Sequence, residues 1–79
     1  MYYVYIIHFP GSGKFYTGLT LSLTRRLAAH RRQESKIVKD LGAFILKFVA
    51  IFPNKFTAAR FEKYLKSYSG RAFRNKHLI

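Results

Sequence analysis

The chain has 79 residues, a length that makes one domain and leaves no room for a second. Fifteen Lys and Arg stand against three acidic residues, a formal charge of +12, and there is no cysteine. Disulfides and thiolate metal sites are therefore excluded, and packing alone must hold the fold.

An apolar content of 49 %, with eight Phe and six Tyr, argues for a core rather than a disordered tail. A chain this short buries only roughly 60 % of its unfolded surface, so modest stability is expected. Repulsion among so many cations opposes compaction unless a polyanion offsets it. Nucleic acid is the partner this composition favours, because neutralising phosphates releases counterions. An anionic membrane surface is the competitor, but no long basic amphipathic helix dominates the sequence. The apolar N-terminus lacks the basic flank and small-residue site of a secretory signal. The longest apolar stretch, residues 42–52, is interrupted by Lys47 and is too short to span a bilayer. A cytoplasmic location with no membrane partner is expected.

In chain order, residues 2–7 are aromatic and β-branched and read as a strand apolar on both faces. Phe9-Pro10-Gly11-Ser12-Gly13 is a turn, with glycines to supply positive φ, and residues 14–19 return as a second strand. Closing that hairpin brings Tyr5 and Tyr16 near each other. Thr20 or Ser22 can cap a helix over residues 23–33, with Leu23 and Leu27 toward the core. Arg26 and His30, one turn apart, share a neighbouring face. Arg31, Arg32, Lys36 and Lys39 read as a solvated or phosphate-facing flank. Residues 42–52 are apolar on both faces, the pattern of a central strand covered on both sides. Thr57 is the expected cap of a second helix burying Ala58, Phe61, Leu65 and Tyr68, with Glu62 at the edge of that stripe. Ser69-Gly70 is expected to stop it, and a basic tail with one or two more helical turns follows. The expected fold is α/β: a small, mainly antiparallel three-stranded sheet flanked by helices, in the order β-β-α-β-α plus a short C-terminal helix.

The candidate site residues each have a plainer reading. Tyr5 and Tyr16 fit a core, Arg26 a solvated helix face, and His30 a helix-end charge. Glu62 fits an i,i+4 pair with Lys66. In a chain with three acids, however, a carboxylate beside the core stripe can also anchor a hard divalent cation, with water and phosphate oxygens completing the shell. Other enzyme constellations fail. GSGK precedes Phe15 on a strand and is no phosphate loop. No His and carboxylate spacing suits zinc, and no paired acids suit glycoside hydrolysis.

Together these residues resemble the GIY-YIG nucleases. Tyr3-Val4-Tyr5, a hairpin, and Tyr16-Thr17-Gly18 resemble the two signature triplets. Gly18, Thr20, Leu23, Arg26 and His30 match the family's G-x-T-x-x-L-x-x-R-x-x-x-H run. Phe61-Glu62-Lys63-Tyr64-Leu65-Lys66 is similar to the helix on which the family places its metal-binding glutamate. The resemblance covers nearly the whole chain and is nearest to small standalone members with an S-G-R tail. Tyr3 replaces the first glycine, Val4 an isoleucine and Thr17 the second isoleucine, while the polar residues are all present.

The resemblance implies single-metal hydrolysis of a DNA phosphodiester by residues 1–79 as one nuclease domain, in repair or processing. Glu62 would hold Mg²⁺ or Mn²⁺, and Arg26 would stabilise the phosphoryl oxygens. Tyr5 would act as general base, alone or with Tyr16 or His30, while Gly18 and Thr20 shape the motif. Lys14, Lys66, Arg71 and Arg74 are expected to contact the DNA backbone. Tyr5, Tyr16, Arg26, His30 and Glu62 should then converge on one concave surface; Arg26 and Glu62 on opposite sides of the sheet would sink the nuclease reading. The alternative is a basic DNA- or RNA-binding module that keeps the fold without the chemistry. An interaction domain is disfavoured, because no exposed apolar patch can be read. With no appended domain in the sequence, an unidentified protein partner is left as a source of specificity.

Overall fold

The computed structural model describes residues 1–32 and 42–78; Gln33, Lys36 and Lys39 lie outside them. Tyr2–Phe9 (β1) and Lys14–Thr20 (β2) form the expected antiparallel hairpin, with Tyr5 opposite Gly18 and Ile7 opposite Tyr16. Its turn closes where the Phe9 carbonyl accepts from the N–H groups of Ser12 at 3.2 Å and Gly13 at 2.8 Å. Gly13 has a φ of +72°, which glycine adopts without steric cost.

Ser22 caps the helix Leu23–Arg31 (α1), its hydroxyl accepting from the Arg25 N–H at 3.4 Å. Thr20, the other candidate cap, instead pins the preceding loop. Its hydroxyl accepts from the Ser22 N–H at 3.2 Å and donates to the Ser22 carbonyl at 3.3 Å.

The third strand, Ile45–Phe52 (β3), pairs antiparallel with β1 and completes a sheet of order β2-β1-β3. Two expectations are corrected here. The strand begins at Ile45 rather than residue 42, since Gly42 turns the chain with a φ of +82°. It is also an edge strand: the central one is β1, whose Val4, Tyr5, Ile6 and Ile7 are completely buried. Continuous apolar character occurs in both strands, and the pairing partners decide which is covered. On β3, Ile45, Leu46 and Ile51 remain 51 %, 36 % and 58 % exposed, so apolar surface is present where none was read.

The second helix, Lys55–Lys66 (α2), is capped by Asn54 and not Thr57. The Asn54 Oδ1 accepts from Phe56 N–H at 2.7 Å and Thr57 N–H at 3.2 Å, satisfying two orphan donors of the first turn. Ser67 ends α2 and starts the helix Tyr68–Phe73 (α3), its hydroxyl donating to the Tyr64 carbonyl and accepting from the Gly70 N–H. The break thus falls at Ser67 rather than at Ser69-Gly70. It puts Tyr68 out of phase with the α2 stripe, and that ring is 89 % exposed. A π-helical turn, Arg74–Leu78, ends the described chain.

Gly70 sits buried inside α3, where a Cβ would overlap the Tyr64 carbonyl. Gly70→Ala is therefore expected to destabilise by ~1–3 kcal/mol through overpacking, measured as a lowered denaturant midpoint.

The core has two halves. Tyr5, Ile7, Phe9 and Leu27 pack on the α1 face of the sheet. Val4, Ile6, Ala58 and Leu65 pack on the other, beneath α2. The two helices cover opposite faces, and β2 is the edge strand between them.

Candidate active site

The Tyr5 hydroxyl is where two α1 side chains meet. Arg26 Nε–H donates to it at 3.3 Å, and His30 Nε2 lies 2.9 Å away. One helical turn separates Arg26 from His30, so both reach the same phenol. Gly18 stands opposite Tyr5 in the ladder, and a Cβ there would collide with the Tyr5 ring and hydroxyl. Glycine at that position is what lets the phenol lie across β2. Tyr16 joins on the same face, its ring centroid 6.2 Å from that of Tyr5 and 5.8 Å from that of His30. The structure thus brings Tyr5, Tyr16, Arg26 and His30 into one cluster.

The environment fixes the protons. Burial pushes the Tyr5 phenol above its usual range, opposed by the Arg26 hydrogen bond. Burial, and secondarily the Arg26 charge, push His30 below the usual histidine range. Both groups are neutral near pH 7. In the His30 tautomer that carries its proton on Nδ1, the Tyr5 hydroxyl donates to His30 Nε2 while accepting from Arg26. The His30 Nδ1 is buried and has no hydrogen-bond partner among the described residues. Around it the Tyr16 and Phe44 rings meet the imidazole at 74° and 77°.

A pH dependence follows. With a folded pKa below its unfolded value, His30 binds more protons in the unfolded chain at mildly acidic pH. Its contribution to stability is present above about pH 6.5 and is lost as pH falls through the window below it. The urea midpoint is expected to drop from pH 7 to pH 5, and His30→Phe should flatten that drop.

Glu62 does not join this cluster. It lies on α2, on the opposite sheet face from Arg26, so the expected single concave surface holds four of the five residues. Its carboxylate accepts from Lys66 Nζ at 3.2 Å, the plainer pairing, with its side chain 22 % exposed. Its position on α2 is informative. Phe61 packs toward β3, with ring centroids 6.2 Å from Phe48 and 5.4 Å from Phe52. Glu62 and Lys66 occupy the other flank of the Ala58–Leu65 stripe, the flank toward β2.

At that flank is a cleft of about 450 Å³ lined by Lys14, Lys66, Arg71 and Arg74, with Phe15, Tyr16, Thr17 and Leu65. All four residues expected to contact DNA line this one cleft. Tyr16 belongs both to the cleft and to the Tyr5 cluster, and so links the two sides of β2. Arg74 lies over the Phe15 ring, 4.6 Å from its centroid, and its charge is disfavoured by burial and by Arg71. A second cleft of about 670 Å³, at the far end of β2, is lined by residues that include Arg25, Arg26 and Arg32. Sequence reasoning passed over Phe15 and Arg25. Their signal was positional: Phe15 alternates with Tyr16 on β2, and Arg25 neighbours Arg26 at the start of α1.

The GIY-YIG catalytic domain family model matches residues 1–76. No curated protein matches the chain. Among solved structures, the chain is similar to the UPF0213 protein BH0048 from Bacillus halodurans, determined by NMR in solution. The TM-score is 0.60 and the identity 33 %, over 96 % of this chain and 82 % of that one. The chain belongs to the GIY-YIG catalytic domain family, a nuclease superfamily whose members generally use divalent metal ions. No described helix is long and apolar enough to cross a membrane.

Proposed function

We propose that residues 1–79 form one divalent-metal-dependent endonuclease domain that hydrolyses DNA phosphodiester bonds in repair or processing in the cytoplasm. The Tyr5 hydroxyl held between Arg26 and neutral His30 carries this reading. A buried phenol with a raised pKa is not available as phenolate at neutral pH, so it works as a base only in concert. The 2.9 Å contact to His30 Nε2 supplies that concert. As the attacking water gives a proton to the Tyr5 oxygen, the phenolic proton passes to His30, and the resulting hydroxide displaces the 3′ oxygen from phosphorus. Protonated His30 beside Arg26 is unfavourable, so the proton returns to solvent after the step. Tyr5 is fully covered, and Arg26 must swing from the phenol toward the phosphate for water to enter. There its planar donors stabilise the equatorial oxygens as charge develops.

Glu62 is the only carboxylate side chain among the described residues, which hold no group of three or more His, Cys, Asp or Glu suited to a metal. One hard oxygen donor suits Mg²⁺ or Mn²⁺ bound mainly by water and phosphate. When bound, the ion supplies Lewis-acid stabilisation of the leaving oxygen. Glu62 and Arg26, on opposite faces of the sheet, can address the same phosphate only across the edge of β2, a strand paired on one side. Specificity beyond the backbone is left to a protein partner.

Arg26→Ala tests this assignment. Cleavage should fall by roughly 10²-fold or more. Binding to a DNA duplex should weaken far less, since fourteen of the fifteen Lys and Arg remain. Equal losses in both would make Arg26 a binding residue only.

The placement of Arg26 and Glu62 on opposite faces favours a second reading, a nucleic-acid-binding module without cleavage. It predicts steep salt dependence of binding and no metal-dependent nicking.

A further inference from the structure

We infer that the cleft between β2 and the C-terminal helices is a pocket for one unpaired nucleotide, so that the preferred substrate has a single-stranded segment or strand end beside the scissile phosphate. This deepens the nuclease reading and rests on it for the word substrate; the pocket itself is a binding proposal.

Four cations, Lys14, Lys66, Arg71 and Arg74, line the cleft, and no carboxylate does among the described residues. Lys66 is already paired with Glu62 at 3.2 Å, while Lys14, Arg71 and Arg74 add positive charge that a phosphate neutralises. Size then selects the form of nucleic acid. About 450 Å³, in a cleft open to solvent, falls within the ~300–1,000 Å³ range of small-ligand sites. One nucleotide fits such a space, whereas a duplex can only lie across its mouth.

The floor of the cleft suits a base. His8 stacks on Phe15 with centroids 4.4 Å apart and planes 21° from parallel, and the Arg74 guanidinium lies over the same Phe15 ring. Arg74 Nε also donates to Asn75 Oδ1 at 3.1 Å. A guanidinium held over an aromatic ring at the cleft gives an unpaired base a planar cation to stack on, as bases do on arginine. A paired base already stacked in a duplex is not available to it. Tyr16 lines the same cleft and touches the Tyr5 cluster, which puts the captured nucleotide next to the phosphate to be cut.

The test is fluorescence anisotropy with a 12-nucleotide single strand and the blunt duplex of the same sequence, in EDTA so that nothing is cut. The wild type should bind the single strand about tenfold more tightly. Arg74→Lys keeps the charge and loses the plane, and should bring the two affinities within about threefold of each other. Arg25→Ala, in the other cleft, should weaken both equally and leave the preference intact. Circular dichroism of each variant checks the fold. Equal binding of both forms by the wild type, or an unchanged preference in Arg74→Lys, overturns the pocket and leaves the nuclease reading standing. Failure to bind either form overturns both.

Discussion

Glu62→Gln is expected to abolish divalent-metal-dependent cleavage while leaving DNA affinity unchanged or slightly higher. Glutamine keeps the size and hydrogen-bonding shape of the side chain but removes the charge that holds a hard cation. In a chain of net charge +12 the lost carboxylate also removes local repulsion of phosphate and frees Lys66 from its 3.2 Å partner. Both changes favour ground-state binding, so a fall in cleavage is not a fall in affinity. Glu62 as a surface pair with Lys66 makes a different forecast: a stability change of ~0.2–0.5 kcal/mol and no selective effect on cleavage. Parallel nicking and anisotropy measurements on one preparation distinguish the two.

Tyr5→Phe has the next largest expected effect, a loss of cleavage of ~10²–10⁴-fold, the usual range for removing a general base. The ring remains, so its packing against Ile7, Phe9 and Leu27 persists. What goes is the oxygen between Arg26 and His30. His30 then has neither ring nitrogen hydrogen-bonded among the described residues, which costs ~1–3 kcal/mol of stability. His30→Gln can still accept a hydrogen bond from Tyr5 but is a far weaker base, and the relay predicts that it too loses rate. Cleavage by Tyr5→Phe within a factor of three of wild type, with a lowered denaturant midpoint, would assign the phenol to structure alone.

Much of this fold was legible because local signals agreed with one another. Pro10 and the two glycines that follow close the hairpin where turn chemistry places it, and the register then sets Tyr5 opposite Gly18. The spacing of Arg26 and His30 placed them one turn apart, and the structure joins both to the same hydroxyl. The errors came where two local signals competed. Asn54 and Thr57 can both cap a helix, and Asn54 wins because it satisfies two N–H groups at once. Residues 45–52 carry the apolar pattern of a covered strand, yet coverage depends on partners that a pattern does not specify. Glu62 was legible as a residue at the edge of a stripe. Which sheet face α2 covers is a matter of chain crossover, and strand and helix periodicity carry no information about it.

The most direct test of the central claim is a cleavage assay on supercoiled plasmid and on branched and single-stranded oligonucleotides, with Mg²⁺, Mn²⁺ or EDTA, wild type beside Glu62→Gln. Nicking by the wild type with either ion, and none in EDTA or from Glu62→Gln, is the predicted result. Wild-type protein that binds these substrates and cuts none of them with any divalent ion would contradict the nuclease and leave the binding module.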